Sequence, residues 1–301
     1  MRKLKRKQQQ RYGNTKVGYL FLSPFLILFF VFTLLPVVVS LAMSLTDYNM
    51  MEPPKFIGFE NYGSLILDDD IFITALKNTF VFSVITGPVS LLFQFLFAWI
   101  ISTLDKMRTF FALAFYVPSI VSAVALGTVW LYLFSADSYG FINSVLLRSG
   151  IITSPIGWTI DPKYILGVII FISIMMGMGN GFLAFLAGLQ NLSSELAEAG
   201  MIDGIKNSFQ ELIYIILPQL KPQLLFGAIN AIVGSFAVFD IATSVAGFPS
   251  PNYAAHTIVA HLYDYAFTRF EMGYASAISL ILFLITFILG RIVTKMFSSR
   301  D

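Results

Sequence analysis

Residues Asn78 to Leu104 read NTFVFSVITGPVSLLFQFLFAWIISTL: 27 positions without one charged side chain, closed by Asp105, Lys106 and Arg108. A bilayer core about 30 Å thick is crossed by about 20 helical residues. The run is too long and too uniformly apolar for a strand. In lipid, a helix satisfies its own backbone donors and acceptors, so the run predicts a spanning helix. Comparable runs occupy Val17–Leu45, Thr109–Ala136, Tyr164–Ser194, Pro222–Phe239 and Met272–Gly290. The fifth is the shortest, and its helix is expected to begin near Leu212. Six spans follow, at about 17–45, 78–104, 109–136, 164–190, 212–239 and 271–292. The fold class is all-α and membrane-embedded, with a basic segment 1–16 before a six-span unit 17–301.

Composition agrees. Of 301 residues, 57% are hydrophobic and 12% charged, with a mean hydropathy of +0.78; a soluble domain carries about a quarter charged residues. The basic residues Arg2, Lys3, Lys5, Arg6, Lys7, Arg11 and Lys16 precede the first run rather than spreading over a face. That placement reads as a topology signal rather than a nucleic-acid arm. With the N-terminus inside, inner segments hold fourteen Lys and Arg and outer segments five, which accounts for all 19. Both termini are therefore expected in the cytoplasm. The first run is too long for a signal-peptide core and reads as an uncleaved span.

Several classes drop out. With no cysteine there is no disulfide, thiolate site or cysteine nucleophile. The middles of the spans hold no charge, and buried charge is the usual mark of an ion-coupled transporter. No G-x-x-x-x-G-K-[ST] loop occurs, so ATP is not expected on this chain in that way. His256 and His261 are the only histidines, five residues apart in an outer loop, and no metal site is expected there. No polar catalytic pair lies within the spans, so an enzyme is not expected. Proline and glycine inside the runs, such as Pro118, Gly177, Gly179, Gly181 and Gly227, serve close helix packing or kinks that shape a cavity.

Between the fourth and fifth runs, residues 191–218 carry a different pattern. Ser193 or Ser194 can cap a helix with Glu195 in its first turn. Leu196, Ala199 and Gly200 fall at i, i+3 and i+4, a narrow face of small side chains. Gly204 ends that helix, and Ser208 with Glu211 forms an S-x-x-E box that opens a second. Pro218 and Pro222 bend the chain into the fifth span. Glu198 and Asp203 offer carboxylates to a basic partner.

The stretch Glu198-Ala-Gly-Met-Ile-Asp-Gly204, followed by Leu217-Pro218, resembles the E-A-A loop of permease subunits of binding-protein-dependent ABC importers. Ser23-Pro24, Leu35-Pro36, Ser44 to Tyr48, Phe56 to Tyr62, Asn78-Thr79, Tyr116 to Pro118, Phe239-Asp240 and Met272 to Ala277 are similar to the carbohydrate-uptake branch, the maltose-type permeases. Two departures stand: Gly200 replaces the second alanine, and the spacing from Glu198 to Leu217-Pro218 is one residue longer.

The resemblance implies a type I ABC importer permease fold and a bacterial or archaeal plasma-membrane location. It implies a second homologous permease, two cytoplasmic ATPase subunits that hold ATP and magnesium, and an external solute-binding protein. The loop would be the coupling helix. Glu198 would pair with a basic ATPase residue, Ala199 and Gly200 would enter its cleft, and Asp203-Gly204 would set the turn. The cargo would be a sugar, and similarity of the C-terminal part to oligosaccharide importers points to an oligosaccharide. By position relative to the loop, the resemblance places Ser173, Met176, Gly177 and Asn180 of the fourth span on the path. In the fifth it places Ala231, Gly234 and Ser235, with Asn230 nearby. Ser173, Gly177 and Asn180 would share one helical face at i, i+4 and i+7. For Asn180 and Asn230, a sugar contact and an interhelical hydrogen bond both stand open. A channel or facilitator that works without an ATPase is the alternative function.

Overall fold

The structure is a computed structural model that describes residues 15–104 and 106–298. Most of the basic N-terminal segment, and Arg300 near the other end, lie outside the described residues. Helices dominate. α1 (Thr15–Phe29) continues through a π-turn at Phe30–Leu34 into α2 (Leu35–Met43). A hairpin of β1 (Thr46–Asp47) and β2 (Lys55–Phe56) and the short α3 (Glu60–Leu67) lead to α4 (Asp70–Ser102). Then come α5 (Arg108–Ile120), α6 (Ala123–Leu133), α7 (Phe141–Arg148), α8 (Ile165–Met176) and α9 (Asn180–Gln190). The loop region holds α10 (Ser194–Ile202), α11 (Ser208–Glu211), a π-turn at Leu212–Ile216 and α12 (Leu217–Gln219). α13 (Lys221–Phe236), α14 (Asp240–Ala246), α15 (Ile258–Tyr263) and the long α16 (Met272–Ser298) complete the chain.

Among the described residues four helices are long and apolar enough to cross a membrane: Gly18–Met43, Asp70–Ser102, Ile165–Gln190 and Met272–Phe297. The count is six if each of two bent pairs is one span. The third run is the first such pair. α5 and α6 meet at 97°, where Val121 is extended after Pro118. The fifth run is the second: Ser208–Gln219 and Lys221–Phe236 meet at 78° around Leu220, with Pro222 opening the second arm. A proline removes a backbone donor and crowds the preceding turn, which accounts for the break before Pro222; Pro118 lies inside α5, before the first break.

The second span differs from its sequence outline. Its helix starts at Asp70, eight residues before the uncharged run. Asp69 caps it, accepting from the Phe72 N–H at 2.8 Å, and such a cap stabilises a helix start by about 1 kcal/mol. Asn78 and Thr79, expected to open the span, sit two turns inside it. Asn78 donates to the carbonyls of Tyr253 (2.9 Å) and His256 (3.1 Å), and the Ile258 N–H donates to Thr79 Oγ1 (2.9 Å). They tie the return segment before α15 to the bundle.

α4, α9 and α13 pack together at the centre. Gly181 and Gly227 allow this: a Cβ on Gly181 would run into the Gln94 amide and lie 3.6 Å from the Gly227 Cα. The packing role of these glycines is thus visible in the structure. One core cluster gathers Phe95, Phe182, Phe185, Leu212 and Leu220; another gathers Phe82, Ile169, Ile172, Ile241 and Val245. The first span stands apart. It buries nothing along its length and meets the bundle where α2 lies against α16.

Candidate functional site: a polar cavity and a two-helix loop

An open cavity of about 450 Å³ lies between α4, α8, α9 and α13. Ser173, Met176, Gly177, Asn180, Asn230, Ala231, Gly234 and Ser235 all line it, so the two groups of positions named from sequence face one space. They do not share one helical face. α8 stops at Met176, the chain breaks over Gly177–Gly179, and α9 begins at Asn180. Gly179 lies at φ −94°, ψ −142°, outside the helical region, which ends the i, i+4, i+7 register. The break opens the wall there to backbone groups.

Gln94 holds this break. Its Nε2 donates to the Gly177 carbonyl at 2.6 Å. Gln94, Ser90 and Thr86 line the cavity from α4, and sequence reasoning did not single them out. One signal was available: Gln94 is the only amide in the middle of its run, and an amide at that depth needs a partner. Asn230 Nδ2 donates to the Phe226 carbonyl of its own helix at 2.8 Å, not across to another. The Ser173 hydroxyl oxygen is buried with no protein partner. Among the described residues Asp240 is the one ionisable side chain on the lining, and neither Lys nor Arg is present there. The wall is mostly apolar, with Phe82, Met176, Val238, Phe239 and Ile241 on it, and hydroxyls and amides such as Thr86, Ser90, Gln94 and Asn180 are set into that surface.

The loop sits at the Ser102 end of α4. α10 ends with the Ile205 N–H on the Gly200 carbonyl (2.9 Å) and the Gly204 N–H on the Met201 carbonyl (3.3 Å). Gly204 stands at φ +98°, the left-handed position that this closure requires. Three expectations are corrected. Ser193 occupies the N-cap position of α10 but makes no side-chain capping bond. The cap of the second helix lies one residue earlier than the Ser208–Glu211 box. Asn207 accepts from the Gln210 N–H (2.8 Å), and Gln210 Oε1 accepts from the Lys206 N–H (2.8 Å). Asparagine caps as well as serine, so the S-x-x-E pattern had an equal competitor beside it.

The third correction concerns Gly200. It is buried against the Ile215 and Ile205 side chains, so it belongs to the contact between the two helices of the loop and is not presented outward. Leu196, Glu198, Ala199 and Asp203 are exposed, as is Pro218, while Leu217 is half-buried. Met201 (64% exposed) and Ile202 (87% exposed) project beside them, and neither was singled out from sequence.

At the other end of α4, His256 and His261, in the segment between the fifth and sixth spans, are buried. His256 Nε2 lies 3.4 Å from His261 Nδ1, and His261 Nε2 lies 3.0 Å from Asp69 Oδ2. Tyr265 and Tyr274 donate their hydroxyls to the same oxygen at 3.2 and 2.9 Å. Burial, with His261 beside it, drives the His256 pKa down to about 4. Burial likewise lowers His261, against the pull of Asp69. Among the described residues no three His, Cys, Asp or Glu side chains gather as a metal site. The cluster latches the return segment onto the start of α4 and α16.

A helical bundle with four to six candidate spans, a central cavity and a two-helix loop at one end defines the class, an integral-membrane protein, and the family match makes it a transport subunit. The chain belongs to the family of binding-protein-dependent transport system inner membrane components, whose model matches residues 102–300. It is 33% identical to the probable ABC transporter permease protein YesP of Bacillus subtilis (strain 168), over 92% of this chain and 89% of that one. It is 31% identical to the arabinooligosaccharides transport system permease protein AraP of the same organism, over 96% and 90%. Among solved structures it matches a chain of the bacterial alginate ABC transporter in complex with alginate pentasaccharide-bound periplasmic protein. There the TM-score is 0.77 at 19% identity, over 94% of each chain, a likeness of fold.

Proposed function

We propose that this chain forms half of the translocation path of an ATP-driven importer for a neutral oligosaccharide. The observation that carries the reading is the cavity. Eight positions from two spans meet around one space whose largely apolar wall carries hydroxyls and amides but neither Lys nor Arg among the described residues. A neutral sugar needs such partners and an apolar face for its ring, not buried charge. The one ionisable lining residue is an acid, which suits a neutral cargo better than a polyanion. AraP, similar over nearly the whole chain, is named for arabinooligosaccharides.

The second permease would close the open side of the cavity. The loop would face the cytoplasm and dock on ATPase subunits that hold ATP and magnesium. A solute-binding protein would deliver the sugar from outside. Lys106, Arg108, Lys206, Lys221, Arg291 and Lys295 lie at the loop side of the spans, and positive residues favour the cytoplasmic side.

The test is uptake by vesicles that hold the chain with its partner permease and ATPases. ATP-dependent uptake of neutral arabino-oligosaccharides, unaffected by an excess of uronic-acid oligosaccharides, is expected. Uptake that persists without the ATPase would establish a facilitator instead. Competition by the anionic oligosaccharides would remove the neutral-cargo reading.

A further inference from the structure

We infer that α3 is an interfacial helix whose Phe59–Ile66–Leu67 stripe lies in the lipid of the membrane surface at which the first span ends and the second begins. The chain between Met43 and Asp70 joins the first span to α4, so α3 lies on the side of the membrane where the first span ends. It divides into three sectors. Asn61 and Leu65 face the protein and are buried; Asn61 Nδ2 donates to the Ser44 and Thr46 carbonyls at 3.0 Å each. Glu60 and Ser64 form an exposed polar sector about 40° wide. Phe59, at the N-cap position, Gly63, Ile66 and Leu67 form the third at i, i+4, i+7 and i+8. Phe59, Ile66 and Leu67 are 77%, 60% and 81% exposed.

A helix held by a neighbour needs one apolar face. This one has a second, set beside a polar sector rather than opposite it. That arrangement fits a helix lying along a boundary, with water on one side and acyl chains on the other. The stripe is also continuous with a lipid-exposed surface. Leu67 is three residues from the start of the second span, where Ile73 is exposed on α4, and Val37, Val38 and Val39 are exposed on the first span. Asp68 and Asp70, both exposed, flank the start of α4 beside the stripe. The latch of Asn61 and of the Tyr62 hydroxyl onto Ser44 (2.6 Å) fixes the helix's roll, so the stripe cannot turn inward.

The chain has no cysteine, so a single introduced one carries a spin label without other changes. Labels are placed through Phe59→Cys, Leu67→Cys, Glu60→Cys and, as a lipid-facing reference, Val38→Cys in the full chain in phosphatidylcholine vesicles. Accessibility to oxygen is compared with accessibility to a water-soluble nickel chelate. The expected result is an oxygen-to-nickel ratio at 59 and 67 several-fold above that at 60 and approaching that at 38. Ratios at 59 and 67 equal to that at 60 would place the stripe in water and overturn the inference. Exclusion of both reagents at 59 and 67 would place it against protein and overturn it equally. A low ratio at 38 as well would deny the membrane placement as a whole.

Discussion

His261 Nε2 lies 3.0 Å from Asp69 Oδ2 across 192 residues of sequence, and His256 sets a second imidazole edge-on behind it. The sign of the resulting pH dependence is fixed. The buried His256 binds its proton only near pH 4, whereas in the unfolded chain it does so near 6.5. Between those values the unfolded state holds more protons, so stability falls as pH falls. Asp69 adds a lower window. Burial opposes its charge, but the Phe72 N–H, His261 and the Tyr274 hydroxyl outweigh that and keep its pKa below the ordinary value. Its contribution is complete above that ordinary value and is lost as pH drops through the folded pKa. The thermal midpoint in detergent is expected to decline from pH 6.5 to 4 and to steepen below. His256→Gln should flatten the upper part alone. A midpoint unchanged between those pH values would show that His256 does not stay neutral in the fold.

Gly273, at the start of α16, carries the hairpin. Its N–H donates to the Tyr48 carbonyl at 3.1 Å, and a Cβ there would collide with the Thr46 carbonyl oxygen. Backbone cannot step aside as a flexible side chain can. Gly273→Ala should therefore destabilise by about 1–3 kcal/mol, the range for overpacking. Gly290 lies in the same helix with nothing within 4 Å of a Cβ. Gly290→Ala should be neutral, or stabilising by under about 1 kcal/mol through helix propensity. Thermal unfolding of the two variants side by side measures the contrast; equal midpoints would mean that the hairpin is not seated on Gly273.

The span content was legible because a bilayer imposes one rule on every residue of a crossing. Val17–Leu45 and Asn78–Leu104 announce themselves by length and lack of charge alone. What composition does not encode is direction. The 97° turn after Pro118 and the break over Gly177–Gly179 leave the apolar run intact and change only the dihedral angles. The Asp69–His261 contact was invisible for another reason: it joins residues from distant segments, and no local period links them. Gly200 shows the third limit. A small residue signals a close approach, and the sequence does not say whether the neighbour is another chain or, as here, Ile215 of the same one.

Gln94 is the support of the fourth span's break. Gln94→Leu keeps the volume but removes one of the two donors to the Gly177 carbonyl, leaving only the Gly179 N–H at 2.9 Å. The lost hydrogen bond is worth about 0.5–1.5 kcal/mol. That cost falls on the element bearing Ser173 and Asn180, so transport should drop more than assembly. Gln94→Glu places a carboxylate oxygen where the donor stood and should be worse. Uptake per assembled complex, with the thermal midpoint as control, checks this; full uptake by Gln94→Leu would show that the break needs no support.

Under the proposed docking on an ATPase, the exposed surface of the loop separates two kinds of contact. Glu198 is exposed, and an ion pair in that setting contributes about 0–1 kcal/mol. Ile202 is 87% exposed, beside Met201, and fully burying such a side chain is worth about 1.5–3 kcal/mol. If the loop seats in a cleft, apolar burial outweighs charge pairing. Ile202→Asp should then abolish co-purification of the ATPase, while Glu198→Ala weakens it slightly. Glu198→Lys should go further than Glu198→Ala, because it adds repulsion from a basic cleft and so separates ATP hydrolysis from uptake. Neither position touches the buried contact of Gly200 with Ile215, so the thermal midpoint of the isolated chain should not move. Retention of the ATPase by Ile202→Asp, with loss in Glu198→Ala, would reverse the ranking and make charge the dominant contact.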